Sequence, residues 1–452
     1  MRKIIILSTM CIFVALFAGK TMAQPFSVAN SDGKTIFYNI IGATTTVEVT
    51  DSVNGNTPYS YRGKLVIPDT VENNNTLYTV VSIGSSVFQG CTELDTVILP
   101  NTLTKIGNAA FDGCTKLSEI IIPDLVTTIE SSAFFNCSKL ALASIGNSVQ
   151  TIGKSAFQGC NGLTEIIIPN SVITIDGSAF SACTKLSSLT IGNSVETIGD
   201  RAFSICPITS AFIPASVTKM GRGVFAECEK LTAIEVDANN TAYSSLEGVL
   251  FDKAQTQLVE CPATKTGRYI IPNTVTAIAN DAFYGCTKLT AVLIPDLVAT
   301  IGELVFGNCF DLKEIYVKTT TPPQIQSTTF DDDHFQTLTV YVCGSVENYK
   351  TAAHWGNFKK IVEDCDANSI DDISFNYDCM IYPNPVRDNI RIMLPENIYQ
   401  AVFTLYDMQG RTLIHQNITN QDIVSLNNFA EGIYLYNITT DKQNYQGKIV
   451  KR

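Results

Sequence analysis

Cysteine is the residue with the most chemical potential in this 452-residue sequence, and it recurs at a fixed interval. Cys91, Cys114, Cys137, Cys160, Cys183 and Cys206 are each 23 residues apart, Cys228 follows after 22, and Cys286 and Cys309 are again separated by 23. Such a column could form disulfides, hold a metal or do neither. Equivalent side chains, one per repeated unit, point the same way in parallel, which is poor geometry for a bond between neighbours. A ladder also disperses ligands that a metal needs to converge. The spacing therefore predicts buried free thiols that pack as small hydrophobes.

The remaining chemical candidates are sparse. Asp331-Asp332-Asp333-His334 is one local group with metal-ligand chemistry, but it lacks the alternating spacing and glycine of a calcium loop. A solvated loop is expected there. Glu119 and Glu165 fall at equivalent positions two units apart. Two strand spacings are about 10 Å, near the carboxylate separation of inverting glycosidases, yet nothing distinguishes these acids from surface ones. His334, His354 and His415 are the only histidines, and no phosphate loop, H-E-x-x-H or G-x-S-x-G occurs. A net charge of −12 without a basic cluster excludes a nucleic-acid partner. No catalytic residue, metal or cofactor is expected, and the chain reads as a non-enzyme.

The elements that position these residues follow from the same period. Phe88, Phe111, Phe134, Phe157, Phe180, Phe203, Phe225, Phe283 and Phe306 head units of one skeleton: Phe, Cys three on, Leu three further, an Ile-rich run, a turn residue, then Val and Ile three apart. Self-similarity at this period predicts a mainly β solenoid. Each Ile-rich run reads as a strand with alternate residues inward, ended by Pro100, Pro123, Pro169, Pro214 or Pro295, or by Gly146 or Gly192. The array spans 83–317. Residues 24–82 read as an N-terminal cap with a degenerate first repeat, and 318–366 as a closing cap with Tyr349, Trp355 and Phe358 over the last rung. A hairpin-like insertion at about 237–278 breaks the period and reads as an elaborated rung. Cys343 and Cys365 are a possible disulfide across the closing cap.

The ends carry addresses. Arg2 and Lys3, the apolar run Ile4–Ala18 and the small-residue exit Thr21-Met22-Ala23 form a secretory signal peptide, 1–23. After a polar linker, 367–375, residues 376–452 lose the 23-residue period. Short alternating runs between turn signals predict a small antiparallel β-sandwich there.

Two family resemblances rest on these residues. Ala110-Phe111-Asp112-Gly113-Cys114, Ala156-Phe157-Gln158-Gly159-Cys160 and Val195-Glu196-Thr197-Ile198-Gly199 resemble the BspA-like leucine-rich repeats of bacterial surface proteins. Glu130, Asp176 and Ala279 depart from that pattern where other units carry Gly. The motifs Tyr382-Pro383-Asn384-Pro385, Gly410-Arg411, Gly432-Ile433-Tyr434 and Lys448–Lys451 together resemble the C-terminal sorting domain of type IX secretion substrates of Bacteroidetes. The resemblances imply a secreted or outer-surface protein, exported through the periplasm, whose partners are the type IX machinery and host matrix proteins or other bacterial surfaces.

A binding face is expected where strand residues point away from the core. The outward position of successive strands reads Ile98, Ile121, Ser144, Ile167, Thr190, Phe212, Glu235, Leu293 and Tyr316, and its six large apolar members are predicted to form an exposed stripe on the concave sheet. That stripe favours a protein ligand. A structural envelope component, or a glycan-binding protein or hydrolase, are the other classes open at this point.

Overall fold

The computed structural model describes residues 25–42, 44–51, 61–364, 380–382, 386, 388–394, 398, 400–419, 422–441 and 444–451. The expected signal peptide, the linker and Cys365 lie outside the described residues, so the proposed Cys343–Cys365 bond falls there too. Each repeat makes one turn of a solenoid with two short strands. The front wall carries the Ile-rich strands, including Leu94–Ile98, Glu119–Ile121, Leu142–Ser144, Glu165–Ile167 and Ser210–Ile213. The back wall is a parallel ladder of two-residue strands, Lys105–Ile106, Thr128–Ile129, Thr151–Ile152, Thr174–Ile175, Thr197–Ile198 and Lys219–Met220.

Period-two alternation explains the interior. Ile120, Ile166 and Ile129 point in and are buried, while Glu119, Ile121 and Ile167 point out. Between the walls the Phe rings stack from Phe88 to Phe225 with centroids 5.0–5.8 Å apart. The Cys column lies beside them. Seven of its thiols donate to the carbonyl of the Phe one turn earlier at 3.1–3.2 Å, from Cys114 to Phe88 through Cys309 to Phe283. Cys261, outside the repeat skeleton, is buried and free like the column. Gly146 and Gly192 serve close approach: a Cβ there would lie 2.4 and 2.5 Å from the Pro123 and Pro169 carbonyls of the preceding turn.

The insertion divides the array into two packed cores. Tyr243–Leu246, Val249–Asp252 and Gln257–Glu260 form an antiparallel meander within the body of the solenoid. Its central strand is covered on both sides, since Leu250 joins the first core whereas Val249 and Phe251 join the second. Parallel front-wall pairing then resumes from Gly267–Ile270. At the N-terminal end, Phe26–Ala29, Thr35–Ile40 and Thr46–Thr50 pair antiparallel and cover the edge of Thr76–Ile83. At the other end Tyr349, Trp355 and Phe358 are buried, with Trp355 and Phe358 against Phe330, which continues the second Phe stack.

The C-terminal segment is separate in its packing. A three-stranded and a four-stranded antiparallel sheet enclose one core, with Ile390 and Val424 from the first and Phe403, Ile438 and Ile449 from the second. Among the described residues, no helix is long and apolar enough to cross a membrane.

Candidate binding surface

Two columns of side chains face outward on the front wall, because each strand presents residues i and i+2 on one face. Parallel pairing sets Leu142 beside Glu119 and Ser144 beside Ile121. Ile98, Ile121 and Ile167 are 45%, 58% and 58% exposed, and Phe212 52%. Ser144 would interrupt this line, but Leu142, 52% exposed in the neighbouring column, fills the same turn. The result is an apolar patch running Ile98, Ile121, Leu142, Ile167 across four consecutive turns, with Phe212 beyond Thr190. Reading a single column missed Leu142. The signal was present in Lys139-Leu140-Ala141-Leu142, where Leu stands at the position of Glu119 and Glu165.

Leu293 and Tyr316 do not belong to the exposed stripe. Both are buried, in a small cluster with Ala291, Ile270 and Tyr341 on the second array. Arg268 covers Tyr316. It pairs with Ala291 in the sheet but reaches across that strand to the next, placing its guanidinium 4.5 Å from the Tyr316 ring and 3.8 Å from Glu314. On the other side Tyr341 stacks on Tyr316 at 4.6 Å. The exposed apolar stripe is therefore confined to the first array.

The acids near the patch carry no special geometry. Glu119 and Glu165 are exposed in the outward column. Glu235, paired with Phe212, is held above the usual carboxylate range by desolvation. The Asp331–His334 group is a helix start, correcting the expected loop. Asp331 caps the helix Asp332–Thr337, its N–H donating to His334 Nδ1 at 3.3 Å. His334 is buried with Nε2 3.1 Å from the Cys309 carbonyl, and Asp331 accepts the Asn308 N–H at 2.8 Å. Three neighbouring polar groups are thus used in covering the last turn. Among the described residues no group of three or more His, Cys, Asp or Glu side chains is placed to hold a metal.

The C-terminal motifs occupy turns and strand ends. Gly410, at φ +80°, lies in a turn where the Asp407 carboxylate accepts the Gln409 and Arg411 N–H groups and pairs with Arg411 Nε at 2.6 Å. Gly432 opens a strand and pairs with Lys451 on the last one, where Lys448 also lies. Tyr434 donates to the Ala430 carbonyl at 2.7 Å. Tyr382 ends a short strand, whereas Pro383, Asn384 and Pro385 lie outside the described residues.

Comparison with known proteins matches both parts. Residues 69–165, 150–266 and 260–381 match the BspA type leucine rich repeat region, and residues 380–452 match the secretion system C-terminal sorting domain. A leucine-rich cell surface protein of Faecalibacterium prausnitzii A2-165 is 26% identical, with a TM-score of 0.58 over 77% of this chain and 98% of that one. A leucine-rich repeat protein of Bacteroides ovatus is 31% identical, with a TM-score of 0.53 over 68% of this chain and 74% of its own. No curated protein matches. The chain belongs to the BspA-type leucine-rich repeat family, and its type IX sorting domain directs it out of the cell to the surface or the medium.

Proposed function

We propose that the protein is a non-catalytic binding module that takes a protein partner on the front wall of its first array. The contiguous exposed patch Ile98, Ile121, Leu142 and Ile167, with Phe212 beyond it, carries this reading. A folded chain rarely leaves such side chains adjacent and open unless something covers them. Full burial of one Ile or Phe contributes about 1.5–3 kcal/mol, so a partner gains affinity from a few of them. Host matrix proteins and neighbouring bacterial surfaces are the partner classes to test. The type IX machinery is the second proposed partner, through residues 376–452.

The test is capture of purified matrix proteins and of whole bacteria by the full chain. Ile167→Ala with Phe212→Ala is expected to weaken capture at least tenfold while the melting temperature holds. Unchanged capture overturns the assignment of this surface. No capture across both panels, together with self-association of the chain, supports a structural envelope role.

A further inference from the structure

The junction between the two arrays is the one place, among the described residues, where the Phe stack stops and buried charge gathers. In other turns the Phe amide donates to a carbonyl one turn ahead, as Phe203 does to Val224 and Phe283 to Val305. Phe225 has the meander ahead of it instead of a standard turn. Its N–H donates to Glu260 Oε1 at 2.7 Å, so a side-chain oxygen stands where a backbone carbonyl would. Glu260 is 3% exposed, and its Oε2 has no hydrogen-bond partner.

A second tie lies beside it. Asp281, the first corner of the second array, is fully buried. It meets Arg201 Nη2 at 2.9 Å and Arg222 Nε at 3.0 Å, both from the first array. Arg222 also reaches Glu303 at 3.2 Å, and Arg201 stacks 5.0 Å over Tyr284. These contacts border a cleft of about 580 Å³ lined by Arg222, Tyr243, Gln257, Val259, Thr300 and Glu303. The back-wall ladder is interrupted here, and Tyr243 accepts the Met220 N–H at 2.9 Å.

We propose that this junction is a pH-dependent latch, in which the protonated Glu260 carboxyl seals the meander against the end of the first array and its ionisation releases that seal. An oxygen without a partner is tolerable in a neutral acid and costly in a buried carboxylate. The groups facing Glu260 offer it no positive partner. Asp281 raises it further, and the Cys228 and Cys286 thiols from the two arrays are neutral. Arg201 and Arg222 are engaged by Asp281, Arg222 also by Glu303, and Glu227 and Tyr284 lie behind them. Burial first, opposed by the Phe225 and Val224 N–H groups, pushes Glu260 up to about 8. The closed state therefore keeps a proton that an exposed Glu260 would lose near 4.5. Closure is fully supported below about 4.5 and weakens as pH rises through 8.

Hydrogen exchange of the full chain tests the latch. From pH 5.5 to 8.5, corrected for intrinsic exchange, protection of segments 222–236 and 243–262 is expected to fall about a hundredfold, while segments around Phe134 and Phe157 hold. Glu260→Gln should keep protection and lose the pH dependence. An unchanged slope in E260Q overturns the proposal. A second measurement needs no variant. Trp355, the single tryptophan, reports the second core. Its thermal transition should coincide with that of far-UV circular dichroism at pH 5.5 and separate from it at pH 8.5. Coincidence at both pH values overturns the latch.

Discussion

At the scale of single residues, burial and register decide roles that residue type leaves open. The cysteine column has disulfide chemistry available and does not use it. Seven of the nine thiols donate to the Phe carbonyl of the preceding turn, and burial pushes Cys91 up to about 11 and the deeper thiols higher. Thiolate is the reactive form. Ellman's reagent at pH 8 is expected to leave the ten buried thiols unmodified in the folded chain and to modify all of them in guanidinium. The same contrast separates outward residues of one sequence pattern. Leu293→Asp should destabilise by about 3 kcal/mol, since it buries a carboxylate in the apolar cluster of Ile270, Ala291 and Tyr316. Ile121→Asp, at an exposed site, should cost less than about 0.5 kcal/mol. Chemical denaturation of the two variants measures the difference.

At the scale of elements, an array of short parallel strands is only as secure as its ends. The back-wall strands are two residues long, so each contributes little alone and depends on both neighbours. The N-terminal meander covers the edge of Thr76–Ile83. Deleting 25–51 should uncover that edge and drive association; light scattering would show oligomers growing with concentration, whereas a monomer would count against the capping role. The central meander is an internal counterpart. Val249-Leu250-Phe251 presents apolar residues on both faces because both faces meet a core. A strand reading in hydrophobic run, rather than in alternation, was the visible sign of burial on two sides.

For the molecule as a whole, packing divides along the same lines as the family matches. The two repeat cores share no residue with the C-terminal core. A chain truncated after 364 should therefore keep its thermal unfolding transition unchanged, and it should fail to reach the cell surface. Loss of the array's transition on truncation would show coupling that the packing does not predict. The acidic balance of the chain opposes non-specific binding to polyanions.

Some of this is written in one turn of sequence. The 23-residue period, the Phe and Cys columns and the inward Ile positions follow from a pattern that repeats, because stacking identical turns makes each residue its own neighbour's neighbour. What depends on contacts between unlike turns was not legible. Arg268 covers Tyr316 from another strand, Leu142 joins Ile121 and Ile167 from another column, and Glu260 reaches Phe225 across 35 residues. The corners show the same limit most plainly. Ala109, Ala182, Ile205 and Leu304 adopt φ of 52–59°, a left-handed conformation their own preferences oppose. Backbone hydrogen bonds to the adjacent turn hold them there. Local propensity acts within a few residues of chain, whereas these positions answer to the turn stacked beside them.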